Sequence, residues 1–128
     1  GATRVAMAPD AGVSVTLSRL VGLRRAMSIL LTNPGISAPE ALEMGIVTKV
    51  VPDAKLAEAS FALARELAAG APKALAATKR LVWAGTGTSI EQCLSEEART
   101  VSELSGMADA REGLAAVIER RKPVFTGR

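Results

Sequence analysis

The chain has no histidine and no tyrosine, and its 128 residues hold a single cysteine, Cys93, and a single tryptophan, Trp83. Without histidine there is no Ser-His-Asp triad, no Cys-His dyad and no Cys/His zinc site; with one cysteine there is no internal disulfide. Cys93 lies on an apolar helical face with no base to activate it, and reads as core. Acid–base chemistry must come from carboxylates, lysine or backbone dipoles. Aromatic residues make up only 2% of the chain, too few to build a ladder that stacks bases, and a net charge of +3 is too mild for nucleic-acid recognition. No apolar run reaches the ~18 residues of a membrane span, and the first residues lack the basic-then-apolar layout of a signal peptide. The expectation is a soluble cytoplasmic protein with no nucleic-acid partner, no membrane partner and no metal.

What the chain does contain is Ala, Leu and Val, within a hydrophobic fraction of 48%. Ala and Leu lose least on entering a helix, so the composition leans towards helix. After Asp10, Val13, Leu17, Leu20 and Val21 recur at helical spacing up to Gly22; Ala26, Met27, Leu30 and Leu31 mark a second helix that ends at "TNPG". Ser37 and Glu40 form a Ser-x-x-Glu capping box that opens a third, with Gly45 near its end. "IVTKVV", residues 46–51, is rich in β-branched residues and stopped by Pro52, which predicts a strand; residues 3–8 are a second candidate strand.

From Lys55 the chain predicts helix throughout. One helix ends at Gly70, the next starts at Pro72 and runs to "AGTGTS", and Ser89 with Gln92 opens another. Asp109 and Glu112 repeat the capping-box spacing ahead of "GLAAVIERR", stopped by Pro123. The fold class is therefore mostly α, with about seven helices and one strand near 46–51. Residues 1–54 and 55–128 read as two regions.

Charge is unevenly distributed. Asp10 is the only acidic residue before Glu40, against Arg4, Arg19, Arg24 and Arg25, and the tail "ERRKPVFTGR" is basic again. Such ends suit either a phosphorylated ligand or plain solvated surface. Asp10 itself reads as the N-terminal cap of the helix that follows, as a catalytic carboxylate, or as both.

Taken in order, Pro-Asp-x-Gly, Arg-Leu-Val-Gly, Leu-Thr, Ser-x-x-Glu-Ala, Gly-Ile-Val, Arg-Glu-Gly and Pro-x-Phe-x-Gly, from about Val5 to Arg128, resemble the C-terminal half of the crotonase (enoyl-CoA hydratase/isomerase) superfamily. The resemblance implies an α/β crotonase-like fold, with residues 1–54 ending its spiral core and residues 55–128 forming a helical region for trimerisation and active-site covering. It implies an acyl-CoA substrate, no separate cofactor beyond the CoA thioester, and a homo-oligomer, a trimer or dimer of trimers. The oxyanion hole of the family would come from an N-terminal half that these residues do not include.

By the same resemblance Asp10 is the catalytic residue. The family's hydratase glutamate has no counterpart near Ala2 or Thr3, and Pro-Asp-x-Gly is closest to the isomerase branch and to the 4-chlorobenzoyl-CoA dehalogenase branch. Phe125 would cover the acyl pocket, and Lys122 and Arg128, with Arg121, would lie near the CoA phosphates. Glu40 and Glu112 are each explained by a capping box. The alternative, from a different class, is a non-catalytic helical assembly module whose exposed Leu and Val faces self-associate.

Overall fold

The computed structural model describes every residue from Gly1 to Arg128 and contains seven α-helices and two short 3-10 turns, with no strand. The chain divides into two units, Gly1–Leu56 and Ala57–Arg128.

In the first unit, a 3-10 turn at Ala2–Val5 precedes α1 (Val13–Val21), α2 (Leu23–Thr32) and α3 (Ala38–Glu43). Gly22 ends α1 and begins α2 with φ 80° and ψ 156°, a backbone state open to glycine alone. That single residue turns the chain so that α2 packs on α1. Ala26, only 1% exposed, lies on the packed face of α2, where a methyl side chain lets helices approach closely. At α3 the expected capping box is fully formed: Ser37 accepts from the Glu40 N–H and the Glu40 carboxylate accepts from the Ser37 N–H at 2.8 Å.

Neither expected strand forms. Residues 2–5 coil into the 3-10 turn, and after α3 the Ile46 and Val47 N–H groups both donate back to the Ala41 carbonyl, at 2.8 and 3.3 Å. β-Branched residues favour an extended backbone, but a strand is completed only by a neighbour that takes its N–H and C=O groups. No strand forms anywhere in the chain to pair with Ile46–Val51.

The second unit continues α4 (Leu56–Ala68), which begins at the boundary after a second 3-10 turn at Asp53–Lys55. It then holds α5 (Pro72–Gly85), α6 (Ile90–Ser105) and α7 (Ala108–Glu119). Proline at the first position of α5 removes no intrahelical hydrogen bond. Ser89 and Gln92 make the second expected capping box at α6. α5 and α6 form an antiparallel hairpin: Arg80 pairs with Glu96 and donates to the buried Thr100 hydroxyl at 2.9 Å, while Cys93 Sγ lies 3.0 Å from the Thr88 hydroxyl. Half-buried Cys93 is a packing residue at the closed end of that hairpin.

The third expected box does not form. The N-cap of α7 is Met107, which makes no side-chain cap, and Asp109 and Glu112 both turn instead to the returning tail. Sequence spacing alone does not distinguish these uses, because a carboxylate in the first turn can take any nearby N–H.

The core is thin. Ala26 and Ala116 are the only fully buried apolar residues, and Ile90, Leu114, Val117 and Ile118 are all at least two-thirds exposed. The accessible surface is 9961 Å². A compact monomer of this mass exposes roughly 6,400 Å², and two separate compact halves about 7,700 Å² together. The excess therefore arises inside the units themselves.

Candidate functional site

Asp10 sits in the first unit, and Phe125, Lys122 and Arg128 in the second. Asp10 is not the cap of α1. Ala11 and Gly12 both take left-handed backbone, φ 49° and 79°, so Gly12 becomes the N-cap, with no side-chain cap bond. Asp10 contributes only its carbonyl, which accepts from the Val13 N–H at 3.0 Å. The capping expectation fails because two left-handed residues place the carboxylate a step outside the helix entrance. The side chain is exposed at the rim of a hollow of about 280 Å³, walled by Ala2, Pro9, Val13, Leu30 and Asn33. Gly1 completes the lining, so four of its seven residues, Ala2, Pro9, Val13 and Leu30, carry apolar side chains.

Asn33 was invisible as a site residue in the sequence. It ends α2 in a left-handed conformation, φ 50°, and its Nδ2 donates to the Thr3 hydroxyl at 2.6 Å while its carbonyl accepts from Arg4 at 2.7 Å. These bonds fix residues 2–5 against the end of α2 and give the hollow its far wall. The signal was the "TNPG" stop: asparagine tolerates left-handed backbone at a helix end, and proline follows because it cannot continue a helix.

In the second unit the tail runs back along α7. The Asp109 carboxylate, 7% exposed as a residue, accepts from the Thr126 N–H and the Gly127 N–H, each at 2.8 Å. The Asp109 N–H donates to the Arg128 carbonyl at 2.8 Å, so the chain's last residue satisfies one of the free donors of α7. Glu112 accepts from the Val124 N–H at 2.8 Å and takes a forked bond from Arg121 at 2.6 and 2.9 Å. Half-buried Phe125 packs beside Gly113 and, with Ala74, Leu104, Met107 and Ala110, walls an apolar cavity of about 210 Å³.

Lys122 and Arg128 carry exposed side chains, as a phosphate contact requires. Arg121 does not share that freedom, since Glu112 and Glu119 both hold its guanidinium. Arg80 is likewise held, by Glu96 and Thr100. No group of three or more metal-ligating side chains exists in the structure.

Two glutamates of the second unit hold their protons less tightly than an ordinary glutamate. Glu96 is lowered to about 2 by hydrogen bonds from Arg99 and then Arg80, and Glu112 to about 2 by Arg121 and the Val124 N–H. Both folded values lie below the ordinary glutamate value near 4.3, so the unfolded chain binds more protons in acid. Their stabilisation is present above about pH 5 and is lost as the pH falls towards 2. Denaturant midpoints measured from pH 6 to 2 are expected to decline across that window, less steeply in the Glu96→Gln/Glu112→Gln double variant. Added salt should flatten the decline, because these pairs are solvent-exposed. An identical slope in that variant would remove both pairs from the account.

The profile of the family described as enoyl-CoA hydratase/isomerase matches residues 2–128. A probable enoyl-CoA hydratase of Rhodobacter capsulatus is 42% identical over 98% of this chain and 49% of its own length. A trans-2-decenoyl-[acyl-carrier-protein] isomerase of Streptococcus mutans is 33% identical over 97% of this chain and 47% of its own. Among solved structures, the enoyl-CoA hydratase of Bacillus anthracis superposes with a TM-score of 0.93 at 33% identity, covering 98% of this chain and 49% of that one. A probable enoyl-CoA hydratase/isomerase of Mycobacterium abscessus gives 0.92 at 37%, covering 99% and 50%. The chain thus spans about half the length of the relatives it matches.

Proposed function

The chain belongs to the enoyl-CoA hydratase/isomerase family, and from that premise we propose that its first unit supplies the proton-carrying carboxylate of an acyl-CoA site and its second unit a tail of the kind that covers one. The observation that carries this reading is the placement of Asp10. Its carboxylate is not used as a helix cap and stands at the rim of a largely apolar hollow, where a carbon acid can approach it.

The reaction is a shift of a C=C bond along a CoA thioester. Asp10 takes a proton from the carbon beside the carbonyl, the electrons of that C–H bond move onto the thioester as an enolate, and the same proton returns to a carbon farther along. The double bond moves the opposite way, from the β,γ to the α,β position, and nothing else is consumed. Two backbone N–H groups aimed at the enolate oxygen would supply about 3 kcal/mol each. We assign those donors to protein outside the 128 residues, in keeping with the half-length match. Phe125 covers the acyl part, and Lys122 and Arg128 face the CoA phosphates. Residues 1–54 close the spiral core and residues 55–128 form the covering and assembly region. The protein works in the cytoplasm with no metal and no cofactor beyond the thioester.

A purified sample of this chain alone is expected to give no isomerisation or hydration of an enoyl-CoA. Refolding it with the N-terminal half of the Rhodobacter capsulatus relative is expected to restore turnover. Enzyme-like rates from the chain alone, or none after complementation, would overturn the proposal.

The wide apolar exposure favours a second role alongside the first. We propose that α4, α6 and α7 bury their Leu, Ile and Val faces in a homo-oligomer, a trimer or dimer of trimers, because apolar side chains so widely exposed along these helices call for a partner surface.

A further inference from the structure

α7 begins without a cap of its own, and the tail that follows it comes back to do that work. The Arg128 carbonyl accepts from the Asp109 N–H, while the Asp109 carboxylate accepts from the N–H groups of Thr126 and Gly127. The exchange is reciprocal: each side satisfies donors that the other leaves open. One turn later Glu112 fastens Val124 and Arg121. Phe125 is thus held on both sides, through Val124 and through Thr126, by carboxylates three residues apart on one helix face.

We propose that Asp109 and Glu112 are positioning residues, which pin residues 121–128 as a strap so that the Phe125 ring forms a fixed wall of the apolar cavity bounded by Ala74, Leu104, Met107, Ala110 and Gly113. Two further features match a strap built to one geometry. Gly127 has φ 79°, which side chains other than glycine's rarely adopt, and a Cβ there would meet Pro72 at 3.2 Å, so the strap lies close on the start of α5. Gly113 gives the ring a flat seat, with the position of a missing Cβ 3.6 Å from its edge. The cavity, at about 210 Å³, is larger than the ~150 Å³ apolar cavity that accepts benzene, so it admits a short aliphatic chain. That the wall serves an acyl group rests on the reading given under Proposed function; that the two carboxylates set the wall does not.

The test uses the full chain, with Asp109→Asn and Glu112→Gln made separately. Because Phe61 and Phe125 are the only phenylalanines, the Phe125 ring signals are readily assigned by NMR, and their cross-peaks to Met107 and Gly113 report the wall. Each variant is expected to weaken those cross-peaks and to speed amide exchange at Val124, Thr126 and Gly127 by about 10- to 100-fold, with the α5–α6 amides unchanged. Persistence of the ring contacts and of tail protection in both variants would overturn the proposal. If Asp109→Asn loses protection throughout the chain, Glu112→Gln and Arg121→Gln decide the matter by the same readout.

A second arm titrates hexanoyl-CoA and free CoA. Hexanoyl-CoA binding is expected to weaken about tenfold in the variants, and free CoA binding by a smaller factor, since Lys122 and Arg128 ride on the same strap while only the acyl chain also loses the Phe125 wall. If the unaltered chain binds neither, the acyl-CoA reading fails while the NMR arm still judges the strap.

Discussion

Asp10→Asn is expected to lower kcat for enoyl-CoA isomerisation by about 10²- to 10⁴-fold in the enzyme reconstituted from this chain and its complementary half, with KM changed little. Asparagine keeps the shape and polarity of the side chain but cannot accept and return a proton. The structure separates this effect from stability. Gly12, not Asp10, is the N-cap of α1, and the one bond Asp10 contributes there comes from its backbone carbonyl. A capping aspartate would cost about 1 kcal/mol when replaced, whereas here the thermal midpoint should hardly move. Steady-state kinetics and a melting curve on the same preparation check both halves. A variant within threefold of the parent rate, or one that loses stability and activity together, would remove Asp10 from the chemistry.

The second large effect concerns mass. At tens of micromolar the purified chain is expected to sediment well above the mass of one chain. Two fully buried alanines are too small a core to offset the conformational entropy of 128 ordered residues. The surface left open exceeds that of two compact halves by about 2,200 Å², within the range of obligate interfaces. Val117 and Ile118, 78% and 80% exposed, pack against little within the chain. Val117→Glu with Ile118→Glu should lower the sedimenting mass with little loss of packing inside the chain. A strict monomer for the unaltered chain at high concentration would end the assembly proposal.

These two expectations differ in how much of their basis could be seen without coordinates. The boxes at Ser37/Glu40 and Ser89/Gln92 were legible because both partners lie three residues apart, and the spacing itself supplies the contact. The same spacing at Asp109/Glu112 misled. Once α7 formed, a tail more than ten residues away offered those carboxylates better-placed donors. The strand at Ile46–Val51 failed for a related reason, since half of a strand's stability belongs to a neighbour. Asp10 looked like a cap until the left-handed pair Ala11–Gly12 moved the helix entrance past it.

The order of motifs along the chain determined the family, and the local patterns determined seven helices and most of their ends, because periodicity, capping and breakers act over a few residues. Only the tertiary structure decided which acids remain open and which are committed: Asp10 stands at a rim, while Glu96, Asp109 and Glu112 are engaged by groups from other segments. Those choices rest on hydrogen bonds between distant residues, whose geometry exists only after the backbone has turned back on itself.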